Sequence, residues 1–84
     1  MKAKHRKTLE AIFARPTSAT IIFSDIESML LALGADIEER AGSRIIVALD
    51  GKHLSCHRPH PRKEAKEYLV RDIREFLTKA GIQP

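Results

Sequence analysis

Two short alternating runs, residues 44–49 and 52–57, flank Asp50-Gly51, the preferred dipeptide of a two-residue hairpin turn. A turn of that length sets the register: Leu49 faces Lys52, Val47 faces Leu54, Ile45 faces Cys56 and Arg44 faces His57. Alternation then sorts the side chains. Ile45, Val47, Leu49, Leu54 and Cys56 share a face suited to burial, whereas Arg44, Ile46, Ala48, His53, Ser55 and His57 share the face left to water or a ligand. On that open face Arg44 and His57 are direct neighbours, with β-carbons about 5 Å apart. A guanidinium holds a phosphate in a fork and stabilises the charge of a phosphoryl transition state, and an imidazole takes or gives a proton near neutral pH. RNA supplies its own nucleophile, because a deprotonated 2′-hydroxyl attacks the adjacent phosphorus without a metal. The pair is therefore a candidate for RNA cleavage, to be weighed against a surface histidine that merely lies beside a surface arginine.

The same stretch carries His53, Cys56, His57 and His60, a set that invites a metal. Its spacing matches no standard zinc pattern, and Cys56 should point away from His53 and His57, so neither a metal nor a cofactor is expected. Cys56 reads as a small buried residue rather than a catalytic thiol. Gly42-Ser43 is too short for a phosphate loop and reads as a strand-entry turn.

The elements that must position these groups follow from the rest of the chain. With 84 residues there is room for one compact domain, expected over residues 1–84. Phe13, Phe23, Tyr68 and Phe76 are the only aromatic residues, so aliphatic packing has to hold the core. A single cysteine rules out an internal disulfide, and no segment has the pattern of a secretory signal, so a cytoplasmic location is expected. No apolar run approaches the roughly 20 residues needed to cross a bilayer, and no membrane partner is expected. The net charge of +4 is unevenly placed: residues 1–15 hold five cations against one anion, residues 24–40 five anions against Arg40, and residues 41–63 five cations against Asp50. Such basic patches suit a polyanion.

Residues 5–14 place Leu9, Ile12 and Phe13 on one side of a short helix that Arg15-Pro16 ends. The apolar run 21–23 suits either a short strand or a segment laid on the core. Ser24-Asp25-Ile26-Glu27 has the form of a capping box, which predicts a helix beginning at Ser24. Ile26, Met29, Leu30 and Leu33 form its apolar stripe, and Gly34 ends it. Residues 36–40 make a weaker strand before the hairpin. Residues 57–63, with Pro59 and Pro61, must leave the sheet. From Glu64, the positions Ala65, Tyr68, Leu69, Ile73, Phe76, Leu77 and Ala80 trace a last helical stripe closed by Gly81. The order predicts an α+β domain in which helices cover one face of a three-stranded antiparallel sheet, with an extra N-terminal helix.

Over residues 23–82 the chain resembles the HicA family of toxins from bacterial toxin–antitoxin pairs. The capped helix ending in Leu33-Gly34, the strand leading to Gly42-Ser43, the hairpin, Pro59-His60-Pro61-Arg62-Lys63-Glu64 and the Ala80-Gly81-Ile82 ending occur in the family's order. The resemblance implies a fold like a double-stranded RNA-binding domain over residues 21–84, preceded by a helical extension over residues 1–20. It also implies a ribosome-independent endoribonuclease that cleaves mRNA, and a HicB-type antitoxin as partner. His60 matches a histidine often present in the family's loop and is expected as acid or substrate contact, while Lys52, Arg58, Arg62 and Lys63 are expected along the phosphate backbone. The extension would widen the RNA surface or meet the antitoxin.

One position departs from the family pattern. Members typically read Gly-Ser-His where this chain reads Gly42-Ser43-Arg44, and a guanidinium stays protonated at neutral pH and cannot act as general base. Two outcomes stay open: the base has moved across the ladder to His57, or the protein has lost catalysis and serves as an RNA-binding module or as an antitoxin-binding protein.

Overall fold

Asp50 and Gly51 both adopt left-handed backbone, φ 52° and 78°, as a two-residue turn whose twist matches the strands requires. They join the strands Arg44–Leu49 and Lys52–His57. In the computed structural model, which describes residues 1–84, the elements in chain order are α1 (Ala3–Phe13), α2 (Phe23–Ala32), β1 (Asp36–Glu39), β2 (Arg44–Leu49), β3 (Lys52–His57) and α3 (Glu67–Lys79). The sheet is antiparallel in the order β1-β2-β3, with the expected hairpin register. β1 adds Ile37 opposite Val47 and Glu39 opposite Ile45. The fold is α+β, of the double-stranded RNA-binding type.

One sheet face is covered and the other is open. Ile45, Val47 and Leu49 are buried and Leu54 and Cys56 half-buried on the first, whereas Arg44, His53, Ser55 and His57 are exposed on the second. α2 lies over β1 and α3 over β3, and no pair of their Cα atoms comes within 8 Å. α1 packs against both helices. Its Leu9 and Ile12 belong to the single core cluster with Ile26, Met29, Leu30, Ile73 and Leu77. Arg74 of α3 seals this contact: Nε donates to the Ile12 carbonyl at 2.8 Å, and a terminal nitrogen donates to the Ala14 carbonyl at 3.2 Å and to Thr17 Oγ1 at 3.1 Å. These bonds satisfy carbonyls that the end of α1 leaves without helical partners. The N-terminal helix is thus a structural wedge of the core.

Three local expectations are corrected. The capping box does not form: α2 begins at Phe23, its N-cap is Ile22, and no side chain caps it. The cause is an isolated bridge between Ile22 and Glu64, in which the Phe23 amide donates to the Lys63 carbonyl and the Ala65 amide to the Ile21 carbonyl, both at 2.9 Å. The run 21–23 therefore both pairs and packs, Ser24 falls inside the helix, and Glu27 is free to turn elsewhere. The last helix begins at Glu67, because residues 64 and 65 are held extended by the same bridge. Tyr68, expected in the apolar stripe of α3, is 56% exposed, and Val70 is buried instead. At about 100° per residue, Leu69, Val70, Ile73, Phe76 and Leu77 share one arc, and Tyr68 lies outside it. The C-terminus of α2 follows expectation: Gly34 has φ 96°, and the Ala35 amide reaches the Leu30 carbonyl at 3.0 Å. No helix is long and apolar enough to cross a membrane.

Candidate active site

Arg44 and His57 are paired across β2 and β3, and both are exposed. The ladder runs one step further, since the Arg58 amide donates to the Ser43 carbonyl at 2.9 Å. Ser43 Oγ thereby comes 3.4 Å from His57 Nδ1, a weak hydrogen bond that orients the ring. Either atom can donate in this contact; in the tautomer whose Nδ1–H donates to Ser43 Oγ, Nε2 is the proton-accepting nitrogen.

Beyond the end of β3 the chain turns over the start of α3 and encloses a groove of about 400 Å³. His57 and His60 line it together, with Ser43, Arg62, Lys66 and Tyr68. Arg62 is largely exposed there, and its contact with Glu64 is long, at 3.9 Å. Of the other expected phosphate contacts, Arg58 also lines the groove, whereas Lys52 and Lys63 do not. Lys52 lies at the other end of β3, about 17 Å along the strand from His57, and lines a different hollow with Asp72, Glu75 and Lys79. Lys63 is exposed but does not line the groove. A cleft of about 520 Å³ between α1 and α2 brings Lys4, His5 and Lys7 near Asp25, remote from the Arg44–His57 pair.

Arg58 follows His57 by one residue, so alternation sends it to the covered side. Its Nε donates to Glu27 Oε1 at 2.6 Å, a second nitrogen to Glu27 Oε2 at 3.3 Å and the third to Glu39 Oε1 at 3.1 Å. These bonds, Glu27 first, push its pKa upward. The guanidinium expected on the phosphate path is thus engaged in tying the end of β3 to α2 and β1. Open-face electrostatics are also less basic than the local charge count suggests, because Asp36 and Glu38 of β1 lie on the side of Ala48 and Ile46, and Glu38 pairs with Arg40.

Cys56 lies on the side opposite His57. Burial, then Glu27 and Asp72, push its thiol from 9.0 up to about 11, against a smaller opposing effect of Arg58. A thiol so placed supplies almost no thiolate at neutral pH and is no nucleophile.

A family model described as the HicA toxin of bacterial toxin–antitoxin matches residues 23–82, from the first residue of α2 to just beyond α3. The chain belongs to the HicA toxin family. No curated protein and no solved structure gave a match. As a HicA toxin it is the toxin of a toxin–antitoxin system, whose partner is an antitoxin. The matched span contains the sheet, the histidine–arginine pair and the groove, and stops short of α1. Ser43, Lys66 and Tyr68 are groove residues that the sequence did not single out. Ser43 was within reach, since carrying the hairpin ladder past Arg44 sets it against Arg58. Tyr68 required the phase of the α3 stripe.

Proposed function

We propose that this HicA toxin is an endoribonuclease that cleaves mRNA by attack of a 2′-hydroxyl, with no metal or cofactor. His57 Nε2 takes the proton from the 2′-hydroxyl, whose oxygen bonds to the adjacent phosphorus. Arg44 holds the non-bridging oxygens as charge accumulates on them. His60 protonates the departing 5′-oxygen, leaving a 2′,3′-cyclic phosphate and a free 5′-hydroxyl. Arg62 and Lys66 draw the flanking phosphates into the groove. The observation that carries this reading is the direct pairing of exposed Arg44 and His57; His57 and His60 line one groove, and Arg44 stands outside its lining, beside His57.

The histidine that HicA proteins typically carry after Gly-Ser has, on this reading, crossed one rung of the ladder to position 57, and a HicB-like antitoxin silences the toxin by covering the groove. Expressed alone in bacteria, the protein halts growth. Purified, it releases 2′,3′-cyclic phosphate ends from RNA in the presence of EDTA, and His57→Ala removes both effects. Full toxicity in His57→Ala would remove His57 from the mechanism. Arg44 at the family's histidine position favours a second reading, an RNA-binding protein without catalysis, which predicts salt-sensitive binding to RNA that stays intact.

A further inference from the structure

Tyr68 is the chain's only tyrosine, and there is no tryptophan. Phe23 and Phe76 are buried and Phe13 is half-buried, so among the phenylalanine and tyrosine rings Tyr68 alone is exposed; the other exposed rings are the imidazoles of His53, His57 and His60. Single exposed apolar side chains are common and mean little by themselves. Here the ring lines the groove that also holds His57 and His60, and its hydroxyl makes no hydrogen bond to the chain. Pro59 and Pro61 stiffen the loop that lines the same groove, and Arg62 and Lys66 supply its free cations beside Glu64. A volume of about 400 Å³ lies within the roughly 300–1,000 Å³ of small-ligand sites.

We infer that Tyr68 is the stacking platform of a nucleobase subsite, on which an unpaired base of single-stranded RNA next to the scissile phosphate is held. This rests on the endoribonuclease reading and adds to it the feature of the substrate that is gripped. Unpaired bases are recognised by stacking on aromatic side chains, and a stack accepts any base because every base has a π-face. A stacked base prevents the strand from sliding past the two histidines, so the platform converts general attraction for phosphate into a defined cleavage register. The subsite selects single-stranded over duplex RNA, since a paired base cannot reach the ring.

The lone tyrosine supplies its own probe. Cleavage-inactive His57→Ala protein, titrated with a single-stranded RNA hexanucleotide, is expected to lose tyrosine emission saturably, and hexanucleotides made abasic at each position in turn should include one that no longer quenches. In the active protein, Tyr68→Ala raises KM about 5- to 100-fold and spreads the cleavage positions on the hexanucleotide, and Tyr68→Phe restores both because the ring and not the hydroxyl is used. Unquenched emission on saturation with RNA, or an unchanged KM in Tyr68→Ala, would overturn the subsite while leaving the nuclease intact. A Tyr68→Ala protein that loses only antitoxin binding would assign the ring to a protein interface and overturn it equally. Wild-type protein that cleaves nothing would instead refute the nuclease reading, and the quenching titration then still decides the subsite.

Discussion

Arg44 and His57 stand directly opposite each other across the β2–β3 ladder, exposed on the uncovered face of the sheet. Their side chains project from the same face with β-carbons about 5 Å apart, close enough for either to reach a group bound between them. Under the proposed mechanism His57→Ala lowers cleavage about 10²- to 10⁴-fold and Arg44→Ala about 10²- to 10³-fold. The exchange Arg44→His with His57→Arg returns the histidine to the family's usual position and should cleave at least about tenfold faster than His57→Ala alone, a coupling that neighbouring residues permit. Single-turnover rates on a short RNA measure it, and an exchanged protein as inactive as the single variant would show that the pair does not work as a unit.

Arg58 binds Glu27 through two nitrogens and Glu39 through the third, with about a third of its side chain exposed. Allowing for solvent screening, Arg58→Ala should destabilise the fold by about 1–2 kcal/mol. Arg58→Lys recovers little of this, since an ammonium cannot reproduce the fork. Urea denaturation of the two single variants and of Arg58→Ala with Glu27→Gln should give a coupling near 1 kcal/mol; additive losses would mean that the bonds carry no net stability.

Arg74 is buried and supplies the donors for the Ile12 and Ala14 carbonyls. Burial, then the nearby Arg15 and Arg71, lower its pKa. Arg74→Met leaves those carbonyls unpaired and should cost about 2–4 kcal/mol. Ile12→Ala should cost a similar amount through the cavity it opens. Thermal melts report both, and if removal of residues 1–16 left the melting temperature unchanged, α1 would not be part of the core.

Gly51 holds φ 78° in the turn that fixes the register. Gly51→Val should cost about 1–2 kcal/mol from left-handed strain alone and lower cleavage by loosening the Arg44–His57 pairing. Asp50→Asn, at φ 52°, should be neutral within about 0.5 kcal/mol, because asparagine tolerates that conformation. Equal stability of the valine and asparagine variants would contradict the turn's role.

The Cys56 thiol is raised from 9.0 to about 11 in the folded protein, chiefly by burial. The folded state therefore prefers the neutral thiol. Its contribution to stability is complete below pH 9 and is lost as pH rises towards 11, where the unfolded chain has already released the proton. Iodoacetamide should modify native Cys56 with a pH midpoint near 11 and urea-unfolded protein near 9. A native midpoint at or below 9 would mean that the thiol is more open than its surroundings indicate.

Sequence alone determined the hairpin, its register, the sorting of Arg44 and His57 from Ile45, Val47 and Leu49, the apolar stripe of α2 and, Tyr68 and Val70 apart, that of α3. Turn chemistry and alternation act within a few residues, and backbone geometry enforces them wherever the segment sits. The family itself was legible from the order of those pieces. What only the tertiary structure decided depended on partners far along the chain. Arg58 meets Glu27 across 31 positions, and Arg74 meets Ile12 across 62. The Ile22–Glu64 bridge displaced a capping box that was locally well formed. The exposure of Tyr68 followed from which arc of α3 the neighbouring elements covered. Short-range rules set the conformation of the hairpin and of the helix interiors, but where α2 and α3 begin and which side chains remain free to bind are fixed by packing between segments, and composition does not encode that locally.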